Sequence, residues 1–234
     1  TNIFTQKVSF REHFQKANFF QSDTIEIKII SLSRDTMCKI RLFDSEGNDL
    51  GWDKQHLGLA YSYGKNRKHG GILAKDAVSK LLSDVPLVNY TAFDLNSLQE
   101  LQDIIGDMPM VLDDDYIDIN PLWKKGKKIV INRDNVEEFV RSRNTSKDYS
   151  NKTRMQRQKL YIQTYINQLK TQLTNDYSTT LQKMYNFYSK LTTNITLKEI
   201  DSYAEMILNY SIDNNEYYTL PGEDQKGELH DEFI

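Results

Sequence analysis

GGILAKDAVSKLLSDVP, residues 70–86, decides the class of this chain. Ile72, Leu73, Ala77, Val78, Leu81 and Leu82 fall on one face at helical spacing, and Pro86 ends the run. Upstream the pattern is that of strands. IEIKIISLS (25–33) is rich in β-branched residues and MCKIRLF (37–43) follows it. The turn DSEGNDLG comes next, where Gly47 and Asn48 are expected to supply positive φ. Downstream, VNYTAFD reads as a short strand and DLNSLQELQDIIGD as an amphipathic helix with Leu98, Leu101 and Ile105 inward. MPMVLDDD and KKIVINR read as further strands, and DNVEEFVRSR as a helix with Asp134 at its N-cap and Glu137 three residues on. Ile162, Ile166, Leu169 and Leu173 predict a long helix over 154–173. TLKEIDSYAEMI carries a capping box, Thr196 with Glu199, and NEYYTLPGE reads as a closing strand and turn. Strands interleaved with helices predict a mixed α/β fold, a central mixed β-sheet flanked by helices, in one domain spanning 1–234.

Composition narrows the chemistry. The chain has 234 residues, enough to bury roughly 70% of its unfolded surface without a disulfide or metal. Its single cysteine, Cys38, excludes an intramolecular disulfide and a Cys-rich metal site, and reads as a small core residue. No run of 18 apolar residues and no signal-peptide pattern occurs. The sequons at Asn89, Asn144 and Asn194 read as chance in so Asn-rich a chain.

Charge is unevenly placed. The net charge is −3, yet FVRSRNTSKDYSNKTRMQRQKLYI (139–162) holds seven basic residues against one acid, Asp148. Arg154, Arg157 and Gln158 stand at i, i+3 and i+4 and share a helix face, with Arg141 and Arg143 just upstream. Guanidinium forks match phosphate oxygens bidentately. A phosphate or pyrophosphate ligand and a solvated helix face both fit this spacing. Nucleic acid does not: the chain is acidic and shows no second basic stripe or recognised nucleic-acid signature. Upstream, QSDT gives Asp23 and LSRDTM gives Arg34 and Asp35. Two carboxylates and an arginine suit Mg²⁺, which takes one or two carboxylates and completes its shell with water and phosphate oxygens. The other reading of Asp23 is a turn or cap residue.

Taken together, these segments resemble the LytR–CpsA–Psr family of Gram-positive cell-wall enzymes. SDT (22–24), SRDT (33–36), QHLGLAYSYG (55–64), GGILAKDAVSKLL, YIDINPLWKKGKKIVI, VRSR (140–143), RMQRQ (154–158) and TLPGE follow the family's order over nearly the whole chain from about residue 20. The resemblance implies an extracellular mixed α/β domain with a long apolar pocket for a polyprenyl chain. It implies transfer of a glycopolymer, such as teichoic acid or capsular polysaccharide, from polyprenyl pyrophosphate to peptidoglycan through a phosphodiester. Asp23 and Asp35 match the aspartates that hold Mg²⁺ (or Mn²⁺), and Arg34 the phosphate-facing arginine of RDT. Arg141 and Arg143 match the paired arginines, Arg154 and Gln158 the arginine and glutamine of the next helix, and Arg157 lies within the same motif. By the same resemblance Asp35, Arg34 and Arg141 are the catalytic candidates; as a carboxylate near the acceptor hydroxyl, Asp35 is also the candidate general base. A membrane anchor is expected N-terminal to the sequence given.

Three features depart from the family pattern. Residues 1–20 form an atypical N-terminal segment in place of an ILLLG-x-D strand, and Gln21 stands where an arginine often precedes SDT. Asp23 and Asp35 are only twelve positions apart, where the family fits a strand and hairpin turn. Other readings of the chain are a non-catalytic or regulatory binder of the lipid-linked pyrophosphate, a hydrolase of that pyrophosphate, and a DNA-binding regulator, against which the acidity stands.

Overall fold

The computed structural model describes residues 3–4, 29–144, 146, 150–209, 217–220, 222–226 and 231–233. In chain order the elements are β1 (Ile3–Phe4), β2 (Ile29–Ser31), β3 (Met37–Phe43), β4 (Asp49–His56), a 3₁₀ segment (Leu57–Tyr63) and α1 (Arg67–Leu81). Then come β5 (Thr91–Phe93), a 3₁₀ turn (Leu95–Ser97), α2 (Leu98–Ile105), β6 (Met108–Val111), β7 (Lys128–Ile131) and α3 (Val136–Arg141). The last third holds α4 (Ser150–Asn175), α5 (Tyr177–Tyr188), β8 (Leu191–Thr193), α6 (Leu197–Asn209), β9 (Tyr217–Thr219), β10 (Asp224–Lys226) and β11 (Asp231–Phe233). The fold is mixed α/β, as the interleaved patterns require. Among the described residues the strands pair as β1-β5-β8, β3-β4, β6-β7 and β10-β11, all antiparallel, and β2-β9, parallel. No helix among the described residues is long and apolar enough to cross a membrane.

Two apolar clusters anchor these elements. In the first, α1 lays Ala74, Ala77 and Val78 over Cys38 and Ile40 of β3 and over Leu57 and Ala60. Gly71 lets α1 approach the buried Tyr90 ring so closely that a Cβ there would overlap it. Ile72, expected inward, is 42% exposed. It sits about 100° round from Leu73, on the side away from Ala74. In the second cluster, α4 is the spine. Tyr161, Tyr165, Leu169 and Leu173 pack with Leu98 and Ile105 of α2, Met108 of β6, Ile131 of β7, and Val136 and Phe139 of α3.

Local chemistry fixes the ends. The Thr196 backbone N–H and hydroxyl both donate to Glu199 Oε2 (2.7 and 2.8 Å), the glutamate half of the expected capping box of α6, while Glu199 N–H donates to Thr196 O (3.0 Å) rather than to the hydroxyl. In the β3–β4 turn Gly47 adopts φ +85°, whereas Asn48 keeps a negative φ and donates from Nδ2 to Asp44 instead. At α3 the expected cap moves by one residue. Asn135, not Asp134, precedes the helix, and its side chain ties the β7–α3 turn by accepting from Asn132 N–H and donating to Val130 O, both at 2.9 Å. Asn89 and Asn194 are engaged in structure: Asn194 accepts from Tyr90 N–H (2.8 Å) and donates to Val88 O (3.0 Å) and Asn89 Oδ1 (3.3 Å). This network joins the run before β5 to the start of α6.

Candidate functional site

The SRDT segment forms a tight turn whose backbone is held on every side. Thr36 N–H donates to Ser33 O (3.2 Å), and Asp35 N–H to Ser33 Oγ (3.1 Å). The three carbonyls of Arg34, Asp35 and Thr36 accept from Gly58 N–H (2.8 Å), Phe233 N–H (2.9 Å) and Leu57 N–H (2.8 Å). With the backbone so committed, the Arg34 and Asp35 side chains are what the turn presents. They pair with each other, Nε to Oδ1 at 3.2 Å, with Arg34 69% and Asp35 17% exposed. Gly58 packs tightly here: a Cβ would lie 3.2 Å from both Arg34 Cβ and Arg34 O. Neither Ser33 nor Gly58 was given a role on sequence grounds. A serine two residues before an amide it can accept from is a legible signal. Nothing in the sequence tells that Gly58 packs on Arg34.

The basic stretch is coupled to this turn through charge. Arg154, on the first turns of α4, has its charged form disfavoured first by burial, then by Arg143 and Arg34, while Asp35 acts in the opposite sense. Arg34, Asp35, Arg143 and Arg154 therefore share one electrostatic neighbourhood, although 120 positions separate Arg34 from Arg154. Among the described residues this neighbourhood holds three guanidinium groups and one carboxylate.

The other predicted residues are placed differently. Arg141, in the last turn of α3, ion-pairs with Glu137 one turn earlier. Arg157 is 1% exposed and donates from Nε to Phe139 O (2.8 Å) and from Nη2 to Ser142 O. Its guanidinium stands 5.6 Å from the centre of the Tyr116 ring. Burial and Arg154 push its pKa down and Tyr116 pushes it up, burial being the largest cause. Gln158 donates to Val140 O (3.2 Å). The helical face read from spacing thus splits. Arg154 lies in the field of Arg143, Arg34 and Asp35, while Arg157 and Gln158 turn to the end of α3. YIDINPLW explains itself here: Tyr116 and Trp123 pack edge-on to Phe139 at 6.4 and 5.2 Å, beneath the Arg157 contacts.

As to a metal, Asp23 lies outside the described residues. Among the described residues no three His, Cys, Asp or Glu side chains gather. Asp35, a hard oxygen donor among arginines, fits an ion of the Mg²⁺ kind that shares its shell with phosphate oxygens rather than one caged by protein alone.

The profile of the LytR_cpsA_psr family matches residues 19–232. The chain belongs to the LytR–CpsA–Psr family. Members of this family are cell-envelope glycopolymer transferases. No curated protein matches the chain by sequence. Among solved structures, protein gbs0355 from Streptococcus agalactiae is similar at 20% identity and TM-score 0.64, over 88% of this chain and 68% of that one. B. subtilis TagT is similar at 16% identity and TM-score 0.60, over 87% and 71%. A structure described as TagT bound to LI-WTA is similar at 19% identity and TM-score 0.59, over 87% and 70%. At these identities the likeness is one of fold, and it agrees with the mixed architecture of the LytR–CpsA–Psr domain seen here.

Proposed function

We propose that this chain transfers a glycopolymer of the teichoic acid or capsular polysaccharide kind from a polyprenyl-pyrophosphate carrier to peptidoglycan. The reaction takes place at the outer face of the cell membrane, where an N-terminal anchor would hold the domain. The reading is carried by the shared electrostatic neighbourhood of Arg34, Arg143 and Arg154 beside the Asp35 turn, in a chain that is acidic overall. Several guanidinium groups in one partly buried place suit the oxygens of a polyanion. Family membership and the LI-WTA complex of TagT support the same reading.

In the proposed step an acceptor hydroxyl oxygen attacks the phosphorus that carries the glycan. The bond from that phosphorus to the bridging oxygen breaks, polyprenyl phosphate leaves, and the hydroxyl proton passes to water. A phosphodiester joins glycan to acceptor. Such a transfer needs positioning and neutralisation of charge on phosphate oxygens more than covalent chemistry. Arg143 and Arg154 hold the non-bridging oxygens, and the burial of Arg154 strengthens that attraction. Arg34 approaches from the SRDT turn, and Arg141 joins by exchanging Glu137 for a phosphate oxygen. Asp35, with Asp23, would hold Mg²⁺ or Mn²⁺, which supplies further neutralisation of the phosphates when bound.

The test is a transfer assay with purified protein, Mg²⁺, a labelled short-chain lipid-pyrophosphate glycan and peptidoglycan oligomers. Phosphodiester-linked label on peptidoglycan, abolished by EDTA and by Arg154→Ala, is the expected result. Labelled glycan phosphate released with no acceptor present would instead make the protein a hydrolase. Lipid binding without turnover would make it a carrier or regulator.

A further inference from the structure

Arg157 and Gln158 belong to the motif that the family likeness assigns to pyrophosphate, yet their side chains point elsewhere. A helix ends with carbonyl groups that lack intrahelical partners, and those ends attract cations. At the end of α3, Ser142 N–H takes Glu138 O (3.2 Å). The carbonyls that follow are taken by α4: Phe139 O by Arg157 Nε (2.8 Å), Val140 O by Gln158 Nε2 (3.2 Å), and Ser142 O by Arg157 Nη2. Three carbonyls within four residues are thus bound by two adjacent side chains of another helix. The arrangement is also buried: Arg157 is 1% exposed, and Phe139 and Tyr116 beside it are 0% and 1%. A guanidinium so enclosed, with donors committed to fixed carbonyls, fixes the backbone it holds.

That backbone leads directly to Arg143. Ser142 O is the last acceptor of the set, and Arg143 is the next residue. On α4, Arg154 lies three residues before Arg157, so one clamp ties the two strands of chain that bring Arg143 and Arg154 together. By fixing the backbone at Ser142 against α4, the clamp sets where Arg143 stands relative to Arg154. We infer that Arg157 and Gln158 are positioning residues: they cap α3 from α4 and hold Arg143 against Arg154 in advance of the pyrophosphate. This rests on the anion-site reading above.

Calorimetric titration of the full chain with inorganic pyrophosphate tests both levels separately. Arg154→Ala is expected to abolish or strongly weaken binding. If wild type binds no pyrophosphate, or Arg154→Ala binds it unchanged, the anion-site reading itself fails. Given that loss, Arg143→Ala and Arg157→Gln are each expected to weaken binding about tenfold, and the double variant also about tenfold rather than about a hundredfold. Once Arg143 is gone, its clamp has nothing left to position. A hundredfold loss in the double variant would mean that Arg157 contacts the anion itself and would overturn the proposal. An Arg157→Gln variant that binds as wild type would overturn it equally. Gln158→Met removes one bond of the clamp from a half-buried side chain, and serves for the same cycle should Arg157→Gln not fold. Its loss, about threefold, is expected to vanish in the Arg143→Ala background. Persistence of that loss would count against the clamp.

Discussion

Replacing Arg154 by methionine should make the protein more stable and less able to bind its anion, and one melting experiment reads both effects. On folding, burial and the charges of Arg143 and Arg34 lower the proton affinity of Arg154, and Asp35 offsets this only in part. A cation whose proton affinity falls on folding destabilises the folded state wherever it stays charged, which includes neutral pH. Methionine keeps much of the volume and removes the charge. Substituting an apolar side chain for a crowded, partly buried charge is expected to add about 1 kcal/mol of stability. In a chain of this size that raises Tm by about 2–4 °C. Pyrophosphate at about 100 times its Kd stabilises the wild type by about 2.7 kcal/mol, or about 5–11 °C. If the variant binds about 100-fold more weakly, the same concentration is close to its Kd and raises its Tm by only about 1–2 °C. The order of melting should therefore reverse when pyrophosphate is added. A variant that melts below wild type without ligand would refute the repulsion, and one whose Tm rises as far as wild type with ligand would refute the anion site.

Gly58→Ala would press a methyl against Arg34 Cβ and O at 3.2 Å, displacing the SRDT turn. A stability loss of about 1–2 kcal/mol in urea unfolding is expected, with about tenfold weaker pyrophosphate binding; unchanged affinity would show that the turn does not place Arg34. Gly71→Ala would drive a methyl into the Tyr90 ring, whose hydroxyl is fixed to Lys68 O at 3.0 Å. It should cost about 2–3 kcal/mol and leave pyrophosphate affinity of the folded protein unaltered. Burial raises the pKa of Tyr116, Tyr161 and Tyr165. Because the folded values lie above the unfolded value of about 10, their contribution to stability is complete below that pH and lost as pH rises beyond it. Tyrosinate absorbance should then show these phenols titrating together with unfolding, after the exposed tyrosines. Cys38, pushed up to about 11 by burial, should react with thiol reagents only over that same transition.

The sequence determined the elements whose signals are local. MCKIRLF is β3 over the predicted residues, and Glu199 accepts from Thr196 N–H as the expected capping box at α6 requires. Leu98, Leu169, Leu173, Ala77 and Val78 are buried where periodicity put them, because a 3.6-residue period is a property of the segment alone. The residue types of the candidate site were legible too, since arginine forks and a nearby carboxylate announce phosphate chemistry wherever they stand. What the sequence did not determine is direction. Spacing put Arg154, Arg157 and Gln158 on one face, but a helical face spans enough arc for its members to meet different neighbours. The end of α3 drew Arg157 and Gln158, and the SRDT turn drew Arg154 into its field. Local pattern likewise gave no warning of α5 or β8, of the one-residue shift at the α3 cap, or of Gly58 lying against Arg34. These depend on partners far along the chain: which carbonyl, ring or charge waits at a given point in space is decided only when the helices and strands pack.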